Sequence, residues 1–214
     1  MSFDKSDSYY DVLSHILRCN HIVDEKLLTA MKDCSPKDRL PYKNCLEGNF
    51  DDSIFINNER SCISILSLAH IIQLIGEICK GKETRIYMLG CLYGYSVEIL
   101  KNMGYWVMGY EINSLLSESV DEYLLDSIYF GSIMPNEDVL DECNSLVVFE
   151  GFSDKKAMEK WSEKIPNSSF IGINKITEST GSLFYKESIK SEYIFKKNLI
   201  GVNIKKPEKE VFSL

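Results

Sequence analysis

The sequence predicts an α/β protein built on a mostly parallel, doubly wound sheet with helices on both faces. Two observations support this prediction. After residue 81, strands rich in Val, Ile, Leu and Phe alternate with helical patterns, which is typical of a parallel sheet covered on both sides. The stretch RIYMLGCLYGYSVEIL, residues 85–100, also reads as a buried strand, a tight glycine turn and a helix.

Residues 1–80 are predicted to form an N-terminal helical and loop segment. Apolar residues at helical spacing between positions 9 and 32 predict two helices, with Asp24 as the N-cap of the second. A polar stretch with two prolines follows, and the apolar run 63–79 predicts a buried helix. We expect this segment to pack on a core formed by residues 81–214, within a single domain.

The core region predicts five strands, three helices and a set of late strands. The predicted strands are 85–89, 106–110, 127–130, 146–149 and 170–173, and the predicted helices are 96–103, 114–125 and 155–164. Trp106 and Tyr110, on the second of these strands, are expected in the core. After residue 180 the helical patterns stop, and apolar stretches ending at residue 214 predict antiparallel edge strands.

Composition restricts the classes of function. The formal net charge of −8 and the pI near 5.0 argue against nucleic-acid or anionic-membrane binding, since both need clustered Lys and Arg. The seven cysteines are scattered without a zinc pattern, so they predict reduced thiols and no metal site. The N-terminus is polar and no apolar run reaches about 20 residues, so we expect a cytoplasmic protein.

The glycine turn is the candidate cofactor site. Gly90 and Gly94 allow close approach of backbone to a ligand, and the following helix offers free N–H groups. Cys91, Tyr95 and Ser96 lie in or directly after this turn and are further candidates. Roughly twenty residues on, Glu111 ends the next predicted strand, where a carboxylate can bind the hydroxyls of a ribose. Taken alone, an acid after a strand is more often a solvated surface residue or a helix cap.

Over almost its whole length, the sequence resembles a known family, the protein-L-isoaspartate O-methyltransferases. LRCNHIVDEKLLTAMKDCSPKDRL is similar to the N-terminal pattern of a bacterial branch of that family. FDDSIFINNERSCIS falls on the family's substrate segment, YMLGCLYGYS on its LDVGCGTGYS turn, and IYFGS on a glycine after the third strand.

The resemblance implies a Rossmann-like methyltransferase core that binds S-adenosylmethionine. Gly131 joins the candidate cofactor-binding residues through the third-strand match. The implied activity is transfer of a methyl group to the free carboxylate of an isoaspartyl residue, with a damaged peptide or protein as partner. Within the substrate segment, Asp51, Ser61 and Ser64 are the candidate catalytic residues. Asp51 and Ser61 could equally be loop-capping residues.

Two departures from the family turn keep other functions open. Met88 stands where the family has an acidic residue that helps bind the amino-acid end of the cofactor, and Leu92 replaces the middle glycine. These changes also suit a pseudoenzyme that keeps the fold as a binding or scaffold module. An NAD-linked oxidoreductase is a weaker alternative, because the full GxGxxG pattern is absent. Glu150, after the fourth strand, could line the pocket or cap a helix.

Overall fold

The computed structural model describes most of the chain as six α-helices, two 3₁₀ segments and nine strands. The helices are α1 (Lys5–Cys19), α2 (Glu25–Asp33), α3 (Ile65–Cys79), α4 (Tyr95–Asn102), α5 (Glu122–Leu125) and α6 (Lys155–Lys164), with 3₁₀ turns at Pro36–Asp38 and Ser114–Ser119. The described residues are 5–42, 50, 54–55, 61–131, 140, 145–152, 155–177, 180–187, 192 and 194–200.

The strands form a small hairpin and a large sheet. β1 (Ile54–Phe55) and β2 (Ser61–Cys62) pair antiparallel. The large sheet contains β3 (Arg85–Leu89), β4 (Trp106–Glu111), β5 (Ile128–Phe130), β6 (Ser145–Phe152), β7 (Ser169–Lys175), β8 (Thr180–Lys186) and β9 (Ile194–Ile200), in the order β5-β4-β3-β6-β7-β8-β9.

The sheet confirms the predicted fold class. Its first five strands in spatial order, β5 to β7, are parallel, and β8 and β9 add antiparallel at the edge. The chain runs outward from β3 to β4 and β5, then returns to the other side of β3 as β6. Strand order therefore reverses between β3 and β6, and the crevice beyond their carboxyl ends is where such sheets bind ligands.

Alternation along β3 divides the core into two clusters. Ile86 and Met88 face the main cluster, which lies under α2, α3 and α4, whereas Tyr87 and Leu89 face a smaller cluster. The smaller cluster includes Trp161 of α6. Because successive strand side chains point to opposite faces, one short apolar strand supports both layers.

The element boundaries agree closely with the sequence prediction, with one difference. β3 and α6 have the predicted bounds, and Asp24 caps α2 by accepting hydrogen bonds from two backbone N–H groups. The predicted helix 114–125 is instead a 3₁₀ segment followed by the short α5, because Val120 and Asp121 leave the helical conformation. The predicted strand near residue 214 lies outside the described residues.

The expectation that Trp106 and Tyr110 are core residues is wrong for Trp106, whereas Tyr110 packs at the margin of the smaller cluster. Trp106 is 50% exposed and Tyr110 is half-buried. On β4 it is Val107 and Gly109 that face the main cluster, so Trp106 and Tyr110 share the opposite face. There Trp106 packs edge-on against Tyr87, with ring centroids 5.6 Å apart.

An ion pair links the N-terminal segment to helix α4. Arg39 donates through Nε and Nη2 to the buried carboxylate of Glu98 on α4, and Nε–Oε2 is 2.8 Å. This bidentate bond raises the pKa of the Arg39 guanidinium. Among the helices that the structure describes, none is long and apolar enough to cross a bilayer.

Candidate functional site

The glycine turn, residues 90–94, lies at the strand-order reversal, directly after β3. Gly90, Leu92 and Gly94 all have φ in the left-handed region, at 79°, 51° and 80°. Gly90 N–H donates to Tyr110 O and Gly94 N–H donates to Cys91 O, each at 2.8 Å. Leucine has a Cβ that crowds this conformation, so Leu92 costs on the order of 1–2 kcal/mol of backbone strain.

Glu111, at the end of β4, holds the turn with its carboxylate. Oε2 accepts from Leu92 N–H at 3.0 Å, and Oε1 accepts from Asn113 N–H at 2.9 Å. The residue is 1% exposed. The structure therefore places Glu111 beside the turn, where the sequence predicted an acid. Each of its two oxygens already accepts a hydrogen bond from a backbone amide. These charge-assisted bonds explain how the strained Leu92 is kept in place.

Side chains of the main cluster fill the space around the turn. A Cβ on Gly94 would lie 2.1 Å from Ile128 Cδ1, and one on Gly109 would lie 2.7 Å from Cys91 Sγ. Leu92 is itself 7% exposed and belongs to this cluster. A Cβ at 94 or 109 would therefore have to push the ends of these side chains aside, and at 94 it would also be strained by the left-handed φ.

A second buried carboxylate, Glu150 of β6, lies next to the first turn of α4. It is 5% exposed and accepts a short hydrogen bond at Oε2 from the Ser96 hydroxyl. Burial raises the pKa of Glu150 to about 7; the bond from Ser96 opposes this shift and the negative charge of Glu111 adds to it. Two carboxylates therefore share the region of the strand-order reversal.

Tyr42, which the sequence did not single out, belongs to the same buried region. Its hydroxyl donates to Ile63 O at 3.0 Å and lies 3.0 Å from Cys62 Sγ, and its ring packs against Tyr95 at 5.1 Å between centroids. No local pattern marks it, because it follows a proline in an irregular segment. Glu150 carried a weak signal as an acid at the end of an apolar strand.

The structure places the remaining predicted residues as follows. Ser64 is fully buried and is the N-cap of α3, where its hydroxyl accepts from Ser67 N–H at 3.1 Å. Ser61 is in β2, whereas Asp51 lies outside the described residues. Gly131 N–H donates to the backbone oxygen of Glu111 at 2.9 Å. Their roles in catalysis or cofactor binding stay predictions.

A cavity of about 130 Å³ adjoins the turn on the side of α5 and the N-terminal segment. Tyr93, Tyr95, Leu124 and the Arg39–Glu98 pair are among its lining residues. The cavity is smaller than the roughly 300–1,000 Å³ that a drug-sized ligand needs. Within the part of the chain that the structure describes, no group of three His, Cys, Asp or Glu residues could hold a metal ion.

Comparison with solved structures supports the fold and no finer identity. The sequence matches no protein-family model and no curated protein. The structure is similar to a Plasmodium falciparum chain assigned as a protein-L-isoaspartate O-methyltransferase and solved with S-adenosyl-L-homocysteine, with a TM-score of 0.61 and 16% identity over 89% of this chain and 96% of that one.

A second protein-L-isoaspartate O-methyltransferase structure has a TM-score of 0.58 and 14% identity over 89% of this chain. This chain covers 65% of that protein, which is just under two thirds of its length. At these identities the likeness establishes a Rossmann-like methyltransferase fold, as the sequence predicted.

The donor set of the site suits S-adenosylmethionine in its chemistry. Two buried carboxylates, a left-handed turn and the N–H groups of α4 are the kinds of group that bind hydroxyls, an ammonium and a carboxylate. Space is more restrictive, since the turn is packed by Ile128 and Leu92 and closed by Glu111. A nucleoside could enter only if these side chains moved.

We predict that Gly94→Ala destabilises the protein more than Gly104→Ala. Both positions have a left-handed φ, but a Cβ at 104 meets nothing within 4 Å. Gly104→Ala should therefore lower the free energy of unfolding by about 1–2 kcal/mol, and Gly94→Ala by about 1–3 kcal/mol more. Urea denaturation measures the difference. Adding Ile128→Val to Gly94→Ala should recover part of the loss; equal losses at 94 and 104 would contradict the packing described.

We predict that Glu150 makes stability fall as pH rises. Its pKa is about 7 in the folded protein against 4.5 when unperturbed, so its contribution is complete below pH 4.5 and is lost as pH rises through 7. Relative to Glu150→Gln, the wild type should lose on the order of 2 kcal/mol between pH 5 and pH 8. Denaturation of both proteins across this range tests it, and a pH-independent difference would show that the carboxyl does not titrate there.

Proposed function

We propose that this chain is an S-adenosylmethionine-dependent methyltransferase acting on a carboxylate, the free carboxylate of an isoaspartyl residue in a peptide or protein. The proposal rests on the position of Glu111, whose carboxylate is 3.0 Å from the glycine turn at the strand-order reversal. That is the place from which an acid binds a ribose in this fold. The chain-wide sequence resemblance and the fold support the same activity, which we place in the cytoplasm.

In this proposal the chain's own residues bind and orient. Glu111 would accept hydrogen bonds from the ribose hydroxyls after its hydrogen bond from Leu92 N–H is broken. The backbone of Gly90, Cys91 and Gly94 would face the cofactor. The cofactor, when bound, supplies a methyl group on a positively charged sulfur. Because the acceptor carboxylate is already ionised, the protein needs no general base, and its contribution is alignment and exclusion of water. Asp51, Ser61 and Ser64 are the candidates for holding the acceptor.

A second candidate function is a non-catalytic binding module that retains the fold. Two observations favour it: Glu111 is 1% exposed with a backbone amide bonded to each oxygen, and Leu92 occupies the glycine position inside the core cluster. If these contacts are permanent, no ribose can reach the carboxylate. The two functions differ in one measurable property, which is affinity for the cofactor.

We predict that the wild type binds S-adenosylhomocysteine weakly and that Leu92→Gly binds it at least tenfold more tightly. The glycine would remove both the side chain that crowds the turn and the strain at φ 51°. Isothermal titration measures both affinities. Tenfold corresponds to about 1.4 kcal/mol.

Leu100→Ala on α4 is the matched control for that comparison. Leu100 is another buried leucine of the main cluster, so its loss weakens packing without opening the turn. It should leave affinity unchanged. If neither wild type nor Leu92→Gly gives binding heat with millimolar S-adenosylhomocysteine, the methyltransferase proposal is wrong and the binding module is favoured.

We predict that the protein methylates an isoaspartyl peptide and not the same peptide with normal aspartate. The assay uses a labelled methyl donor. It measures the label that base releases from the peptide, because base hydrolyses methyl esters. Glu111→Ala should lower turnover at least 100-fold, since it removes the ribose acceptor and releases the turn. Glu118→Ala, which removes an exposed acid of the 3₁₀ segment, should have no effect. Equal methylation of both peptides would overturn the isoaspartyl assignment while leaving methyl transfer in place.

A further inference from the structure

The cavity of about 130 Å³ beside the glycine turn is not used by the proposed function. It lies between α4, α5 and the segment around Arg39, and neither Glu111 nor Glu150 is among its described lining residues. An apolar cavity of roughly 150 Å³ in another protein holds benzene. This cavity therefore has room for a small molecule of about six or seven heavy atoms and is too small for a nucleoside.

The lining of the cavity is acidic. It contains three carboxylates, those of Asp38, Glu98 and Asp121, and one guanidinium, that of Arg39. At neutral pH, three negative charges and one positive charge leave a formal charge of −2. The guanidinium is already compensated, because Nε donates to Glu98 Oε2 at 2.8 Å and Nη1 lies 3.8 Å from Asp121 Oδ2. The surplus of carboxylates favours a cationic ligand over an anion.

The contacts of Glu98 restrict the kind of cation. Its carboxylate accepts hydrogen bonds from Nε and Nη2 of Arg39 and from the hydroxyl of Tyr123. A primary ammonium has three N–H donors that need acceptors, whereas a quaternary ammonium has none. Tyr93 and Tyr95 also line the cavity, and tyrosine rings attract quaternary ammonium groups through their negative faces. A quaternary ammonium therefore suits this lining better than a primary one.

One buried polar group at the cavity has no partner. Tyr95 is 3% exposed, and its hydroxyl has no hydrogen-bond partner among the described residues. Burial raises the pKa of Tyr95, the charge of Glu98 adds to this shift and that of Arg39 opposes it, so the hydroxyl lies near the ion pair that lines the cavity. A buried hydroxyl without a partner is costly, and a hydroxyl on a ligand would satisfy it.

We propose that this cavity is a binding site for a small quaternary ammonium alcohol, the chemical class of choline. The ammonium is held by the carboxylate surplus and the tyrosine rings, and the ligand hydroxyl hydrogen-bonds with that of Tyr95. The bound ligand joins the segment around Arg39 to α4 and α5. No step of the proposed methyl transfer passes through this site, so either proposal can fail without the other.

The experiment titrates choline into the full-length, isotope-labelled protein and follows backbone amide signals by NMR. The neutral probe is 3,3-dimethylbutan-1-ol, in which carbon replaces the ammonium nitrogen of choline. Tetramethylammonium is the third probe, since it keeps the charge and lacks the hydroxyl. Sodium chloride keeps the ionic strength constant in every titration.

Three variants are compared with the wild type. Asp121→Asn removes an exposed carboxylate of the lining, and Tyr95→Phe removes the unpartnered hydroxyl. Glu118→Gln is the matched control for Asp121→Asn, because it removes an exposed acid of the neighbouring 3₁₀ segment that is not among the described lining residues.

We expect choline to shift the amide signals of Leu40, Tyr93 and Val120 until they saturate. It should bind about tenfold more tightly than the neutral probe, because only the cation is attracted by the carboxylates and the rings. Asp121→Asn should weaken choline binding by about threefold and Glu118→Gln should not change it. Tyr95→Phe should weaken binding of choline and leave that of tetramethylammonium unchanged.

Equal affinities for choline and the neutral probe would overturn the proposal, as would shifts that do not saturate or that lie away from the cavity. An equal effect of Asp121→Asn and Glu118→Gln would also overturn it. If Tyr95→Phe does not fold, the wild type decides the hydroxyl contact. Tighter binding of choline than of tetramethylammonium would support that contact, and equal affinities would overturn the assignment of an alcohol.

Discussion

The hydrogen bonds of the Glu111 carboxylate are the constraint on which the site depends. Through Leu92 N–H and Asn113 N–H, one side chain joins the turn after β3 to the segment after β4. A non-glycine residue at φ 51° would otherwise relax towards a right-handed conformation, because its Cβ is crowded. The acid thus stabilises a backbone shape that the residue itself disfavours. The same bonds engage both oxygens of the carboxylate that is proposed to bind a ribose.

Packing behind the turn reinforces this arrangement. Ile128 of β5 fits against the bare Cα atoms of Gly94 and Gly109, so a strand edge, a turn and a neighbouring strand interlock. Both glycines are explained by contact with protein atoms. A ligand that enters must displace Ile128 or move the turn, and either movement disturbs the main cluster. Opening the turn to a ligand would therefore lower local stability.

Two buried carboxylates give the region an unusual charge balance. Arg39 neutralises Glu98 on α4, but among the described residues no cation performs that role for Glu150. Burial of an uncompensated carboxylate is costly, and the raised pKa of Glu150, about 7, shows how the fold meets that cost, by protonation.

The sequence by itself determined the order of the elements, the type of most of them, the bounds of β3 and α6, the cap at Asp24 and the presence of an acid beside the glycine turn. These follow from local periodicity, capping and turn chemistry, which are properties of neighbouring residues. Only the tertiary structure decided the exposure of Trp106, the bonds that close Glu111, and the meeting of Ser96 with Glu150. Those depend on side chains up to 54 positions apart, and their contacts are fixed by how strands pair and helices pack.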